Sequence, residues 1–112
     1  MDIKKLYADV CVLAGEVPLY SFFTYCDMCA RSIIAEYGER YALGEGEYVS
    51  PSALSDSFAL DDAFYTAVLL YVAGKASGDG DMIAKSESEA KSAYRGLWRK
   101  KAKGKRIMGA KW

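Results

Sequence analysis

Cys26-Asp27-Met28-Cys29 has the spacing of a reactive or metal-binding motif. Two thiols so placed can cycle between dithiol and disulfide, or supply half of a zinc ion's tetrahedron. A redox pair of this kind ordinarily opens a helix after a strand, where the helix dipole lowers a thiol pKa. Here the motif falls in the middle of a helical pattern, between Tyr25 and Ala30, and both cysteines lie on its apolar stripe. A closed zinc site needs four ligands, and the chain offers one further thiol, Cys11, and no histidine. The pair therefore reads as core cysteines behaving as small hydrophobes. Three thiols are an odd number, which argues against a pure disulfide framework.

Gly78-Asp79-Gly80-Asp81 faintly resembles a calcium-binding loop, but it lacks the third oxygen position and the closing glutamate. It reads instead as an interhelical turn, with Asp79 or Asp81 capping the helix that follows and Glu87 and Glu89 early in that helix. Asp61 and Asp62 are adjacent, so they point in different directions and suit a helix start better than an acid–base couple. No phosphate-binding loop, dinucleotide fingerprint or nucleophile elbow is present. The lack of histidine removes the commonest general base. The expectation is a non-enzymatic protein with no cofactor and no metal.

Charge is the strongest compositional signal. The 15 bases and 15 acids cancel, yet Arg99, Lys100, Lys101, Lys103, Lys105, Arg106 and Lys111 form a run of seven bases with no acid. Residues 1–98 keep eight bases against all fifteen acids, a balance of minus seven. An acidic body with a basic end is a pattern for docking. Like charges this dense repel one another, and Met108 and Trp112 are apolar residues stranded among them. Such a segment gains from lying on an acidic surface or along phosphates and ordering as it binds.

These groups must be positioned by helices. Asp61 to Ala76 places Phe64, Tyr65, Val68, Leu69, Val72 and Ala73 on one face, and Asp81 to Arg99 does the same with Ile83, Ser86, Ala90, Ala93, Tyr94, Leu97 and Trp98. With the glycines and aspartates between them, the two segments predict an αα-hairpin. Upstream, Asp2 caps a helix to Ala14 with the stripe Ile3, Leu6, Tyr7, Val10, Leu13 and Ala14, ended by Gly15. Val17-Pro18 forces a link. Ser21 caps a second helix from Phe22 to Tyr37, its core face Phe22, Cys26, Cys29, Ala30, Ile33 and Tyr37, closed by Gly38. Residues 38–58 read as a long loop, docked or functional, with one short strand at Glu47-Tyr48-Val49. After Arg99 the periodicity stops, which predicts a tail mobile in isolation.

The class is all-α: a small four-helix domain (1–98) with a central αα-hairpin, a long middle loop and a basic C-terminal tail (99–112). No apolar run approaches the roughly 20 residues of a membrane span. The N-terminus lacks an apolar signal core, so the protein is expected in a cytoplasm. Of nine tyrosines, Tyr20, Tyr25, Tyr41, Tyr48 and Tyr71 lie off or beside the stripes and suit an interface.

This layout resembles the head–tail connector proteins of tailed bacteriophages, also called adaptor or head-completion proteins. The likeness is carried by Asp61-Asp62-Ala63-Phe64-Tyr65-Thr66-Ala67-Val68-Leu69-Leu70-Tyr71-Val72-Ala73-Gly74-Lys75-Ala76. The acidic turn Gly78 to Asp81 follows, and then a helix with Ala90, Ala93, Tyr94 and Leu97. The family likewise joins an alanine- and tyrosine-rich helix to a last helix through a short acidic turn. The resemblance implies a virion structural protein, assembled in the host bacterial cytoplasm. Copies form a ring beneath the portal protein, beside neighbouring connector and tail proteins, and extend the DNA channel without sequence-specific binding. It also implies that the C-terminal segment docks on the portal, which assigns docking to Arg99, Lys100, Lys101, Lys103, Lys105, Arg106 and Trp112. The middle loop would be a second contact surface. The rival readings are a small nucleic-acid-binding regulator whose basic tail lies on phosphates, and a thiol-active protein using Cys26 and Cys29.

Overall fold

The computed structural model describes residues 1–43 and 46–109, with side chains described as far as Lys101. Its helices are α1 (Ile3–Ala14), α2 (Leu19–Tyr37), the short α3 (Glu39–Ala42), α4 (Tyr65–Ser77) and α5 (Gly80–Gly109), with one 3-10 turn at Asp62–Phe64 before α4. The all-α class and the hairpin stand as expected. The fifth helix, α3, is a four-residue turn in what the sequence reads as loop.

Local chemistry explains most boundaries. The Asp2 carboxylate accepts from the Lys4 and Lys5 amides and caps α1. Asp61 accepts from the Ala63 amide at the 3-10 turn. Of the two candidate caps for α5, Asp79 is the one used: its carboxylate accepts from Asp81 N and Met82 N. Gly78 adopts the left-handed conformation that ends α4, and the amides of Gly78 and Asp79 both donate to the Gly74 carbonyl. Ser21 does not cap α2, which begins at Leu19 directly after Pro18. The proline's fixed φ is already near helical, and it has no amide to satisfy.

α4 is the central helix. It packs against α1, α2 and α5, which is why its sequence is apolar nearly all round. α1 and α2 meet at 105°. The core comprises Ile3, Leu6, Val10, Phe22, Cys26, Cys29, Ala30, Ile33, Phe64, Ala67, Val68, Val72 and Ala73. Ser86, polar within the predicted stripe of α5, is buried because its hydroxyl donates 2.6 Å to the Ala67 carbonyl across the hairpin. Tyr65 donates to the Asp9 carboxylate and ties α4 to α1.

Beyond the Ser21 cap, four further expectations are corrected. Leu13 is exposed: in the last turn of α1, beside the α1–α2 corner, Cys11 and Ala14 pack against the core while Val12 and Leu13 face outward. Trp98 is half exposed (51%), because by then α5 has outrun α4. Glu47-Tyr48-Val49 is not a strand; among the described residues the middle segment and its flanks form isolated bridges, Leu43 with Leu60 and Ser57 with Asp2. Finally, α5 does not stop at Arg99 but runs unbroken to Gly109. Lysine and arginine are good helix formers, and positive charge suits a helix's C-terminal half, so loss of the apolar stripe did not end the helix.

That length sets the shape. Thirty residues make a rod about 45 Å long, against about 20 Å for the thirteen of α4. The longest dimension is 56 Å, and the radius of gyration, 15.1 Å, exceeds the roughly 13 Å of a compact chain of this size. α5 therefore extends beyond the body that its first half helps to build.

Candidate docking surface

α5 is segregated by charge. Asp81, Glu87 and Glu89 lie in its first third, and from Ala90 to its end it carries Lys91, Arg95, Arg99, Lys100, Lys101, Lys103, Lys105 and Arg106 with no acid. Both halves match the helix dipole. Arg99, Lys100 and Lys101 are all exposed on α5, but as consecutive helical residues they point in different directions, and Lys101 is turned toward α3. Lys103, Lys105 and Arg106 continue along the same helix, their side chains outside the described residues, and Trp112 lies outside them altogether.

Aromatic packing fixes this part of α5. Tyr94 stacks on Tyr37 at 4.7 Å between ring centroids, and Tyr41 meets its edge at 5.2 Å. Tyr37 in turn stacks on the buried Phe64 at 6.0 Å. Burial pushes the Tyr37 hydroxyl's pKa up, with Glu36 adding to the effect. Lys101 closes the arrangement: its ammonium donates 2.7 Å to the Arg40 carbonyl at the end of α3 and sits 4.4 Å over the Tyr41 ring. α3 is thus the bracket that steadies α5 where it leaves the body. The sequence placed Tyr41 among the tyrosines suited to an interface; here it packs within the chain, against Tyr94 and Lys101, through a fold-back no local pattern announces.

One turn along, on the solvent side, Tyr94, Arg95, Trp98 and Arg99 line an open cavity of about 330 Å³. A half-exposed indole beside two arginines combines an apolar anchor with positive charge. Sequence reasoning placed Trp98 in the core and left Arg95 out of the site. The distinguishing signal was the length of α4, too short to cover Trp98.

The middle segment is a second ordered surface. Tyr48 Oη and Ser50 Oγ each donate 2.6 Å to Asp27 Oδ1, and Arg31 Nε donates 2.9 Å to Asp27 Oδ2 while Nη2 reaches Ser50 at 3.2 Å. Burial alone would raise the Asp27 pKa; the hydrogen bonds from Ser50, Tyr48 and Arg31 outweigh it and hold the carboxyl below its usual range. Burial, then the bond to Asp27, pushes Tyr48 up. Asp56 similarly gathers the Ser52 and Ala53 amides at 2.8 and 2.9 Å, and Phe58 and Leu60 are buried beneath. The segment is a docked strap whose outer side includes the exposed Val49. Asp27, between the two cysteines, serves this strap and not a thiol.

Cys26 and Cys29 are buried, free thiols whose pKa values are raised by burial, that of Cys29 to about 12. They are the inverse of a reactive pair. Among the described residues no cluster of three or more His, Cys, Asp or Glu side chains could hold a metal ion, and no single helix is long and apolar enough to cross a membrane. A groove of about 290 Å³ between α2 and α5 is floored by Cys29, Ile33, Ser86 and Ala90, with Tyr37 and Tyr71 at its sides. Glu36, Glu87 and Lys91 also line it.

No family model matches the chain, and neither a curated protein nor a solved structure matches it significantly.

Proposed function

We propose that this protein is a head–tail adaptor of a tailed bacteriophage, a virion structural component that docks on the portal protein through the basic end of α5. The observation that carries the reading is the helix itself. It begins in the body as one arm of the hairpin, turns wholly basic after Glu89, and reaches well past the element it packs on. A stiff rod presents its charges at fixed spacing and orders little on binding, so docking costs less entropy than it would for a flexible tail. The acidic body complements this, since minus seven spread over residues 1–98 repels duplex DNA passing nearby and lets it slide. In this reading copies associate in a ring beside neighbouring connector and tail proteins, with the strap as the second contact surface, in the virion.

The test begins with solution mass by light scattering and duplex-DNA binding across a salt series. An adaptor gives a folded protein with negligible duplex affinity at moderate salt. Tight binding that falls steeply with salt would instead make the protein a nucleic-acid-binding regulator and α5 a phosphate clamp. Arg99, Lys100 and Lys101 changed together to glutamate should then abolish attachment to portal-bearing heads. Arg99→Glu with Lys100→Glu alone should retain the helicity of the native chain, because both side chains are exposed, whereas the Lys101 change also removes its bond to the Arg40 carbonyl and serves as the comparison.

A further inference from the structure

We infer that the notch formed by Tyr94, Arg95, Trp98 and Arg99 is the anchor of docking, and that it takes an acidic protein segment carrying an apolar side chain between carboxylates. This rests on the adaptor reading but names a site and a ligand chemistry that a general basic surface does not specify.

The argument starts from helix geometry. Positions 95, 98 and 99 share one face of α5, so Arg95 and Arg99 lie beside the Trp98 indole and line the same cavity. Trp98 is half exposed and lines an open cavity of about 330 Å³, large enough for one apolar side chain. Tyr94 beneath it is immobilised by stacking on Tyr37 and by the edge of Tyr41, so the floor of the notch is rigid before anything binds. Rigid aromatic anchors beside guanidinium groups concentrate binding energy at interfaces, and a guanidinium's planar fork matches a carboxylate with two parallel hydrogen bonds.

Charge complementarity selects protein over nucleic acid. Glu89 and Glu87 lie on α5 about 14 and 17 Å from Trp98 along the axis, and the body behind them is acidic. A duplex carries a negative charge every few ångströms and would run its phosphates past those carboxylates. A short acidic segment meets the notch alone. Lys101, held on the Arg40 carbonyl and over Tyr41, is committed to the body and leaves Arg95 and Arg99 as the cations facing the ligand.

The test uses the native full chain for binding, and a Trp112→Phe chain, in which Trp98 is the only indole, solely to assign the emission change. The probe is a labelled synthetic peptide with glutamates and aspartates surrounding leucine and phenylalanine; its controls are the same peptide with lysines and a short duplex DNA. The expected result is saturable binding of the acidic peptide, with a change in Trp98 emission. In the otherwise native chain, affinity should fall at least about tenfold in Trp98→Ala and again in Arg95→Glu. Arg95 is exposed, so its reversal reads the notch even if the tryptophan variant folds poorly. Peptide binding unchanged in both variants overturns the notch while leaving docking through Lys100 and its neighbours intact. Absence of peptide binding also overturns it. Duplex binding that quenches Trp98 overturns both the acidic-protein ligand and the adaptor reading.

Discussion

Gly74 is the position where the hairpin is closest to failing. It lies in the last turns of α4, where α5 begins its return, and a Cβ built there would meet Ile83 Cγ1 at 2.8 Å, the Asp79 carbonyl at 3.0 Å and Met82 Cβ at 3.1 Å. Carbon atoms pack comfortably at about 3.5–4.0 Å, so the two helices must separate by several tenths of an ångström to admit a methyl group. The Asp79 carbonyl is backbone and cannot swing aside. The Gly74 carbonyl itself accepts the Asp79 amide at 2.9 Å, so separation also strains the turn. Helix propensity acts the other way: alanine for glycine inside a helix gains about 1 kcal/mol. Overpacking costs about 1–3 kcal/mol, and three simultaneous contacts including backbone place this site at the upper end. The net expectation for Gly74→Ala is a loss of about 2 kcal/mol, or a fall of roughly 8 °C in Tm for a domain this size. Gly96, also in a helix, has nothing within 4 Å of its missing Cβ, so Gly96→Ala should be stabilised by about 1 kcal/mol from propensity alone. Urea and thermal unfolding followed by far-UV circular dichroism measure both. A Gly74→Ala protein as stable as the native one would refute the close approach of α4 and α5.

The thiols give a second expectation. With an aromatic disulfide reagent at mildly alkaline pH, Cys11, which is only partly covered, should react in the native state, while Cys26 and Cys29 react only on unfolding. Rapid reaction of either would mean that α2 opens. The strap gives a third, in acid. The Asp27 carboxyl is depressed in the folded state, so its stabilisation is complete above the ordinary carboxylate value of about 4 and is lost as pH falls through the lower folded value. Asp27→Asn should therefore be less stable at neutral pH and show a shallower decline between about pH 4 and 2. Asp56, depressed mainly by the Ser52 and Ala53 amides, contributes in the same direction and leaves a residual slope in that variant.

The sequence by itself determined the elements governed by neighbours three and four residues apart. The Asp2 cap, the stop at Gly15, the apolar face of α2 with both cysteines inward, and the turn at Gly78 to Asp81 are local events, and local chemistry predicts them. The charge asymmetry was equally legible, because it needs only counting. What the sequence left open depended on lengths and partners. Whether Leu13 and Trp98 are covered is decided by where α1 turns and where α4 ends. A stripe shows which face a helix would bury, not how far its neighbour extends. The strap was misread as containing a strand because Tyr48 is β-prone, whereas its position is set by a carboxylate on α2, Asp27, 21 residues away. The basic end was read as a mobile tail because its apolar period fades. Its backbone continues as helix instead, bracketed by a lysine that caps a carbonyl 61 residues earlier in the chain. Contacts at such separations leave no periodic trace, and only the tertiary structure decides them.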